Sequence, residues 1–213
     1  PIAQGAKLAN PRFAAVAELN RRHLAERGGD VALEGRIRSY ELAARMQLAI
    51  PEAIDLAQES AETLELYGEN GKESGDFGRA CLMARRLLER GVRFVQIFNG
   101  GAFGSPRINW DGHENLKENH DTQAATMDKP VAALIQDLKQ RGMLADTLFV
   151  WATEFGRGPV TQGIDSPGRD HHPTAFTCFL AGAGVKQGYR YGMTDEVGYF
   201  VARDKVTIPD FHA

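Results

Sequence analysis

The spacing of apolar residues changes near residue 90, and that change divides the chain into a helical part and a mixed part. Before it, apolar side chains recur at steps of three and four. Phe13, Val16, Ala17 and Leu24 form one such run, and Leu33, Ile37, Tyr40, Ala44 and Leu48 form the next. This spacing lines up one face of a helix. Gly28-Gly29 separates the two runs, and Pro51 is expected to end the second. Residues 77–90 are amphipathic again, with Cys81, Ala84 and Leu88 on one side and Gly91 placed to cap the end. After residue 90, short apolar runs at 92–98 (VRFVQIF), 147–152 (TLFVWA) and 174–181 (TAFTCFLA) read as buried strands. A helix is expected over 121–141, with Met127, Val131, Leu134 and Leu138 inward; Pro130 either kinks it or sits in its first turn. Strand, helix and strand at this spacing imply parallel pairing with a right-handed crossover. The reading is an α/β chain: a helical flank over 1–90 and a partial α/β domain over 91–213.

Composition excludes several classes. A chain of 213 residues with 25 Lys+Arg against 28 Asp+Glu carries a net charge of −3, which argues against a dedicated nucleic-acid binder. No apolar run approaches the roughly 18 residues of a membrane span. The two cysteines, Cys81 and Cys178, are too few for a disulfide framework and read as small apolar fillers. Most of the 23 glycines follow residue 90, where long shaped loops are expected. The sequence closes on Ile208-Pro209-Asp210-Phe211-His212, which reads as the first turn of a helix, so a piece of a longer protein is expected.

The loops between the apolar runs carry the chemistry. Asp111 and His113 follow the first run, Glu154 and Arg157 the second, and Arg169, Asp170, His171 and His172 precede the third. Imidazole and carboxylate together form a ligand set for zinc, manganese or non-haem iron. Asp111 and His113 are two residues apart, so an extended segment would point both the same way. Of His171 and His172, adjacent and diverging, at most one is expected to reach a shared centre. Arg157 and Arg169 suit a phosphate or sulfate held bidentately. A metal would polarise such an ester, and an arginine would stabilise the charge that builds on its oxygens. Plainer roles stand beside these. Asp111 and His113 could hydrogen-bond a loop, Glu154 could cap a segment or pair with Arg157, and Arg169 could pair with Asp170. His120 reads as a capping or surface residue at a helix start, and His23 as solvated.

Several strings together resemble the bacterial family DUF1501. TLFVWATEFGRGP, GRDHHP and LAGAGVKQGYRYGMTD carry the resemblance, and LNRRHLAE, SYELAARMQ, CLMARRLLERGVRFVQIF and NWDGHENL extend it over almost the whole chain. The family is related to sulfatases within the alkaline-phosphatase-like superfamily. The resemblance implies a three-layer α/β/α fold, incomplete here, with a metal-assisted hydrolase ancestry. It implies that Asp111, His113 and His171 hold one divalent ion (zinc, manganese, calcium or iron). Glu154 would stand where sulfatases place an aspartate ligand, and Phe155 where they place a histidine. The superfamily's nucleophile comes from an N-terminal segment that nothing in residues 1–90 resembles. Periplasmic or extracellular placement is implied by relatives that carry a twin-arginine export signal.

The expected function is a metal-dependent phosphate- or sulfate-ester hydrolase, with Arg157 and Arg169 at the anion. The alternative is a non-catalytic module on the same fold, binding metal, a sulfated glycan or an envelope partner. Phosphosugar mutase chemistry is a weaker third reading. An incomplete sheet would expose an edge, through which a homodimer is expected.

Overall fold

A computed structural model describes residues 11–69, 71, 74–100, 108–161, 163 and 167–212, and within these the side chains of 11, 12 and 45–49 are left aside. The expected inward position of Leu48 and part of the loops expected at 69–76, 99–119 and 153–173 lie outside the described residues. The chain forms two compact units, one of Pro1–Glu59 with Met83–Gln96 and one of Ser60–Leu82 with Ile97–Ala213.

The first unit is helical. Helix α1 spans Pro11–Glu26 and α2 spans Val31–Ile54. Gly28 and Gly29, at φ 66° and 80°, end α1, and the Gly29 N–H returns to the Leu24 carbonyl at 3.2 Å. Asp30 then opens α2: its Oδ1 accepts from the backbone N–H groups of Ala32 and Leu33 at 2.9 and 3.1 Å. Pro51 does not end α2 as expected; the helix runs one turn further, to Ile54. That last turn has its own cap. Arg86 donates from Nε to the Ala53 carbonyl and from Nη2 to the Glu52 carbonyl, at 2.8 and 2.7 Å. A guanidinium is thus satisfying carbonyls that a helix end leaves without intrahelical partners.

Arg86 belongs to the second half of α4, Gly75–Glu89. Beside it Arg85 donates to Glu59 at 2.6 Å and to Glu89 at 2.8 Å, and Arg86 also donates to Glu59. The Arg85, Arg86 and Glu59 side chains are 2%, 6% and 9% exposed, so this is a buried ionic cluster on one carboxylate. Burial alone would raise the Glu59 pKa. The hydrogen bonds and charges of Arg85 and Arg86 outweigh it and hold the carboxyl below the ordinary glutamate range.

The second unit holds α3 (Ala61–Leu66), the first half of α4, α5 (Leu116–Gln140) and all the strands. Ser60 caps α3 by accepting from the Thr63 N–H at 3.2 Å. Helix α5 starts five residues before the expected position and passes unbroken through a buried Pro130. Leu134 and Leu138 are buried as the spacing requires, with Ala133, while Met127 and Val131 are only half-buried. Tyr67 is buried, and its hydroxyl donates to Asp137 at 3.0 Å, linking the end of α3 to α5. The short α6, Ile208–His212, forms at the expected place, where Thr207 and Asp210 exchange bonds in a capping box. No described helix is long and apolar enough to cross a membrane.

The strands depart from expectation. Residues 92–98 form none, and Phe94 and Phe98 stand 80% and 79% exposed. Strand β1 (Leu148–Trp151) pairs with β4 (Phe179–Gly182), but antiparallel, with Trp151 opposite Phe179 and Leu148 opposite Gly182. Of the run expected at 174–181 only its end is strand. The chain thus leaves β1 and enters β4 at the same end of the pair. Within that excursion β2 (Gly156–Arg157) and β3 (His171–His172) pair antiparallel too, and β5 (Met193–Thr194) pairs with β6 (Val201–Arg203). The described residues therefore combine helices with three two-stranded antiparallel pairs, an α/β composition without the three-layer sheet that the resemblance implied. Neither face of β1–β4 is fully covered: Leu148, Val150 and Phe179 are 48%, 42% and 48% exposed.

The buried Glu59 cluster yields a stability test. Removing one partner of a buried ion pair leaves the other charge uncompensated, so Glu59→Gln is expected to destabilise the protein by about 3–5 kcal/mol at neutral pH. Because its folded-state pKa is depressed, the Glu59 contribution is fully present above the unfolded glutamate value and lost as pH falls through the folded one. Urea titrations of both proteins should show the difference at neutral pH and its shrinkage in acid.

Candidate metal centre

The loop before α5 is tied down by the helix itself. Asn119, in the first turn of α5 and buried, accepts from the Asn109 N–H at 2.8 Å and donates to the Asn115 carbonyl at 2.6 Å. One turn on, buried Gln123 donates to the Ile108 carbonyl at 3.2 Å. His120 sets its Nε2 3.2 Å from the Trp110 carbonyl and its ring edge-on to the indole. The indole N–H donates in turn to Asn99 at 2.8 Å. His120 is thus a loop anchor rather than an end cap. Within the loop the Asp111 N–H bonds the Asn109 side chain at 2.7 Å, and the His113 N–H bonds the Asp111 carbonyl at 2.8 Å. Asp111 and His113 therefore face one centre from a tight turn, not from the extended segment their spacing suggested.

The other side of the centre is the β2–β3 pair. Arg157 lies directly opposite His171, and Gly156 opposite His172. Side chains alternate along a strand. His171 accordingly faces the centre, while the buried His172 faces away, with Nδ1 3.3 Å from the Thr174 hydroxyl. The ring of Phe155 lies 4.1 Å from that of His171, tilted by 30°, and 6.0 Å from the Arg157 guanidinium carbon. Phe155 and Arg157, two apart, share the side that looks on the centre. Glu154, in the bend before β2, is exposed and lies outside the group formed by Asp111, His113 and His171.

One backbone contact joins the two sides: the Arg169 N–H donates to the Gly112 carbonyl at 3.0 Å, while the Gly158 N–H, donating to the Asp170 carbonyl at 3.0 Å, extends the β2–β3 pairing. Gly168 is pressed so closely on the next loop that a methyl group there would overlap the His113 carbonyl and lie 2.6 Å from the Gly112 carbonyl oxygen. The Arg169 guanidinium donates to the Gly168 carbonyl at 2.7 Å. Its backbone joins the centre as well, through the N–H bonded to Gly112 and the carbonyl that accepts from Arg157.

Asp111, His113 and His171 converge. The two Nε2 atoms are 2.9 Å apart, and each lies 3.0 Å from the same Asp111 Oδ1. Hydrogen bonds cannot satisfy this triangle. Each neutral imidazole has at most one proton on Nε2. If both nitrogens donate to Asp111, two N–H groups face each other; if only one carries a proton, one of the remaining edges is lone pair against lone pair. A cation satisfies all three edges at once. Donors about 3 Å apart are also what one coordination sphere presents when each bond is about 2.0–2.2 Å. The donor set therefore fits a divalent ion.

Arg157 is the fourth member. It is 14% exposed and donates from Nη2 to Asp111 Oδ1 at 2.5 Å and to the Trp110 carbonyl at 3.2 Å. From Nη1 it donates to the Arg169 carbonyl at 3.0 Å, and the same atom lies 3.4 Å from His113 Nε2. Partial burial of Asp111 raises its pKa, but hydrogen bonds from Arg157 and His171 and the charges of His113 and Arg157 prevail and hold it at about 2. Asp111 is thus an anion throughout the neutral range, ready for a cation without first losing a proton.

Sequence reasoning missed Asn119, Gln123 and the close fit at Gly168. The first two carried a signal. They are polar side chains four apart on the stripe of α5 that continues through Pro130, Leu134 and Leu138 into the core.

The contact at Gly168 gives a direct test. Gly168→Ala should push the two loops apart and weaken zinc binding by about 10–100-fold, the usual effect of disturbing the support of metal ligands. Competition with a chromogenic chelator measures the affinity, and far-UV circular dichroism should show unchanged helix content.

No curated protein and no solved structure matches this chain. The family model described as "Protein of unknown function (DUF1501)" matches residues 5–213, and the chain belongs to that family.

Proposed function

We propose that this protein is a metal-dependent hydrolase of phosphate or sulfate esters, working at Asp111, His113 and His171. The observation that carries the reading is the donor triangle with a guanidinium against it. Two imidazoles and one carboxylate favour zinc, manganese or iron; calcium prefers oxygen donors throughout. A bound ion of this kind polarises an ester oxygen and acidifies a water molecule. The rest falls to the chain. Asp111 lends its negative charge to the cation, and the two histidines lend neutral nitrogens. Arg157 adds the positive charge that an ester's anionic oxygens need. The ring of Phe155 closes one flank of His171 with an apolar surface and fixes its orientation. The substrate on this reading is a small anionic ester, and the sulfatase relationship implied by the sequence motifs points the same way.

One feature favours a second reading, a non-catalytic module that binds metal and a sulfated glycan. Phe155 lies beside the triangle at the position where the sulfatase resemblance implies a further ligand, and among the described residues the side chains gathered there make one candidate cation site.

Purified protein loaded at neutral pH is expected to retain about one equivalent of zinc, manganese or iron by plasma mass spectrometry. His113→Ala and His171→Ala should each abolish retention while leaving the helix signal intact. Absence of any retained metal would defeat both readings. Turnover of p-nitrophenyl phosphate or sulfate that disappears in the two variants supports the hydrolase. Metal retention with sulfated-sugar binding and no turnover supports the module.

A further inference from the structure

The position of Arg157 implies an order of binding. Its two terminal nitrogens are fully engaged: Nη2 donates to Asp111 and the Trp110 carbonyl, and Nη1 donates to the Arg169 carbonyl and lies against His113. An anion arriving at this arrangement would meet no free terminal N–H. The Asp111 oxygen that accepts from Arg157 is also the oxygen that both imidazoles face, so it is the atom a cation would coordinate. Guanidinium and metal ion therefore compete for Asp111 Oδ1.

We propose that Arg157 stands in for the metal at Asp111 until an ion arrives, and that this exchange frees an N–H for a tetrahedral dianion, so that metal and oxyanion bind with positive coupling. The proposal rests on the metal reading above and adds to it the ligand class and the order. Charge balance supports it. One carboxylate and one guanidinium neutralise each other at this centre. A divalent ion leaves an excess of two positive charges in a half-buried place, and a dianion such as sulfate or a phosphate monoester cancels that excess. The two backbone carbonyls keep the guanidinium at the rim after it gives up Asp111. The displaced group thus stays within reach of an anion on the cation.

The test is zinc affinity with and without sulfate at matched ionic strength, by chelator competition, in the wild type and in Arg157→Gln. The wild type should bind zinc about tenfold more tightly when sulfate is present, within the usual range of coupling between sites. Arg157→Gln should bind zinc about tenfold more tightly than the wild type without sulfate and gain nothing from adding it. If the glutamine variant does not fold, Arg157→Lys replaces it. Lysine keeps the charge but lacks the fork that spans Asp111 and both carbonyls, so the sulfate effect should shrink severalfold. Zinc binding by the wild type with no tightening in Arg157→Gln, or a sulfate effect unchanged in whichever variant is used, overturns the exchange and leaves the metal reading standing. No zinc binding by the wild type overturns both.

Discussion

Three donor atoms within about 3 Å of one another, with no arrangement of protons that satisfies every pair, are the constraint on which the functional part of this structure depends. Such a triangle is costly unless something positive sits at it, and an arginine sits there. Much of the surrounding architecture follows from holding that arrangement. The loop bearing Asp111 and His113 is bonded to α5 at three side chains, the strand bearing His171 is paired with the strand bearing Arg157, and the Gly168–Arg169 backbone closes on the Gly112–His113 backbone. The centre is fixed by side chains of α5 on one side and by main-chain hydrogen bonds on the other.

The donors themselves were legible in the sequence because the residue types are few and chemically narrow. Asp111 and His113 could be named from imidazole and carboxylate placed in a polar loop, whereas the residue types left His171 and His172 undivided; the family resemblance singled out His171, and strand alternation accounts for it. Strand direction was not legible. A helix lies between 92–98 and 147–152, which suggested a crossover, but 92–98 finds no partner strand among the described residues and β1 pairs instead with the segment that follows the polar excursion. Apolar runs signal extended chain without saying what it pairs with. Register, too, shows only in the folded chain: Arg157 stands opposite His171, and the ring of Phe155 lies against the His171 imidazole.

The helical half was easier to read, and it failed at an instructive place. Pro51 looked like a terminator, since proline removes a donor from the helix ladder. The helix nonetheless continues to Ile54, because Arg86 supplies its end with donors from a distant part of the sequence. Local rules state what a segment does alone, and a buried guanidinium can change the answer. Arg85 and Arg86 illustrate why the amphipathic pattern of α4 was informative but incomplete. Both are charged and both are buried, each sharing the Glu59 carboxylate.

Arginine therefore serves opposite ends in the two units. Around Glu59 it is fully committed: both guanidinium groups are almost completely covered, and their charge is consumed in holding α4 to the chain that precedes α3. Arg157 is also largely covered, yet its carboxylate partner Asp111 is 44% exposed and shared with two histidines. An ion pair with one open side can exchange its cation, whereas one closed on all sides cannot without unfolding. Both clusters pair arginine with a carboxylate, and they differ in whether solvent reaches that carboxylate. On the proposed reading, burial of the acid distinguishes a permanent structural bond from an exchangeable seat for a metal, and the open side of Asp111 is what makes the exchange possible there.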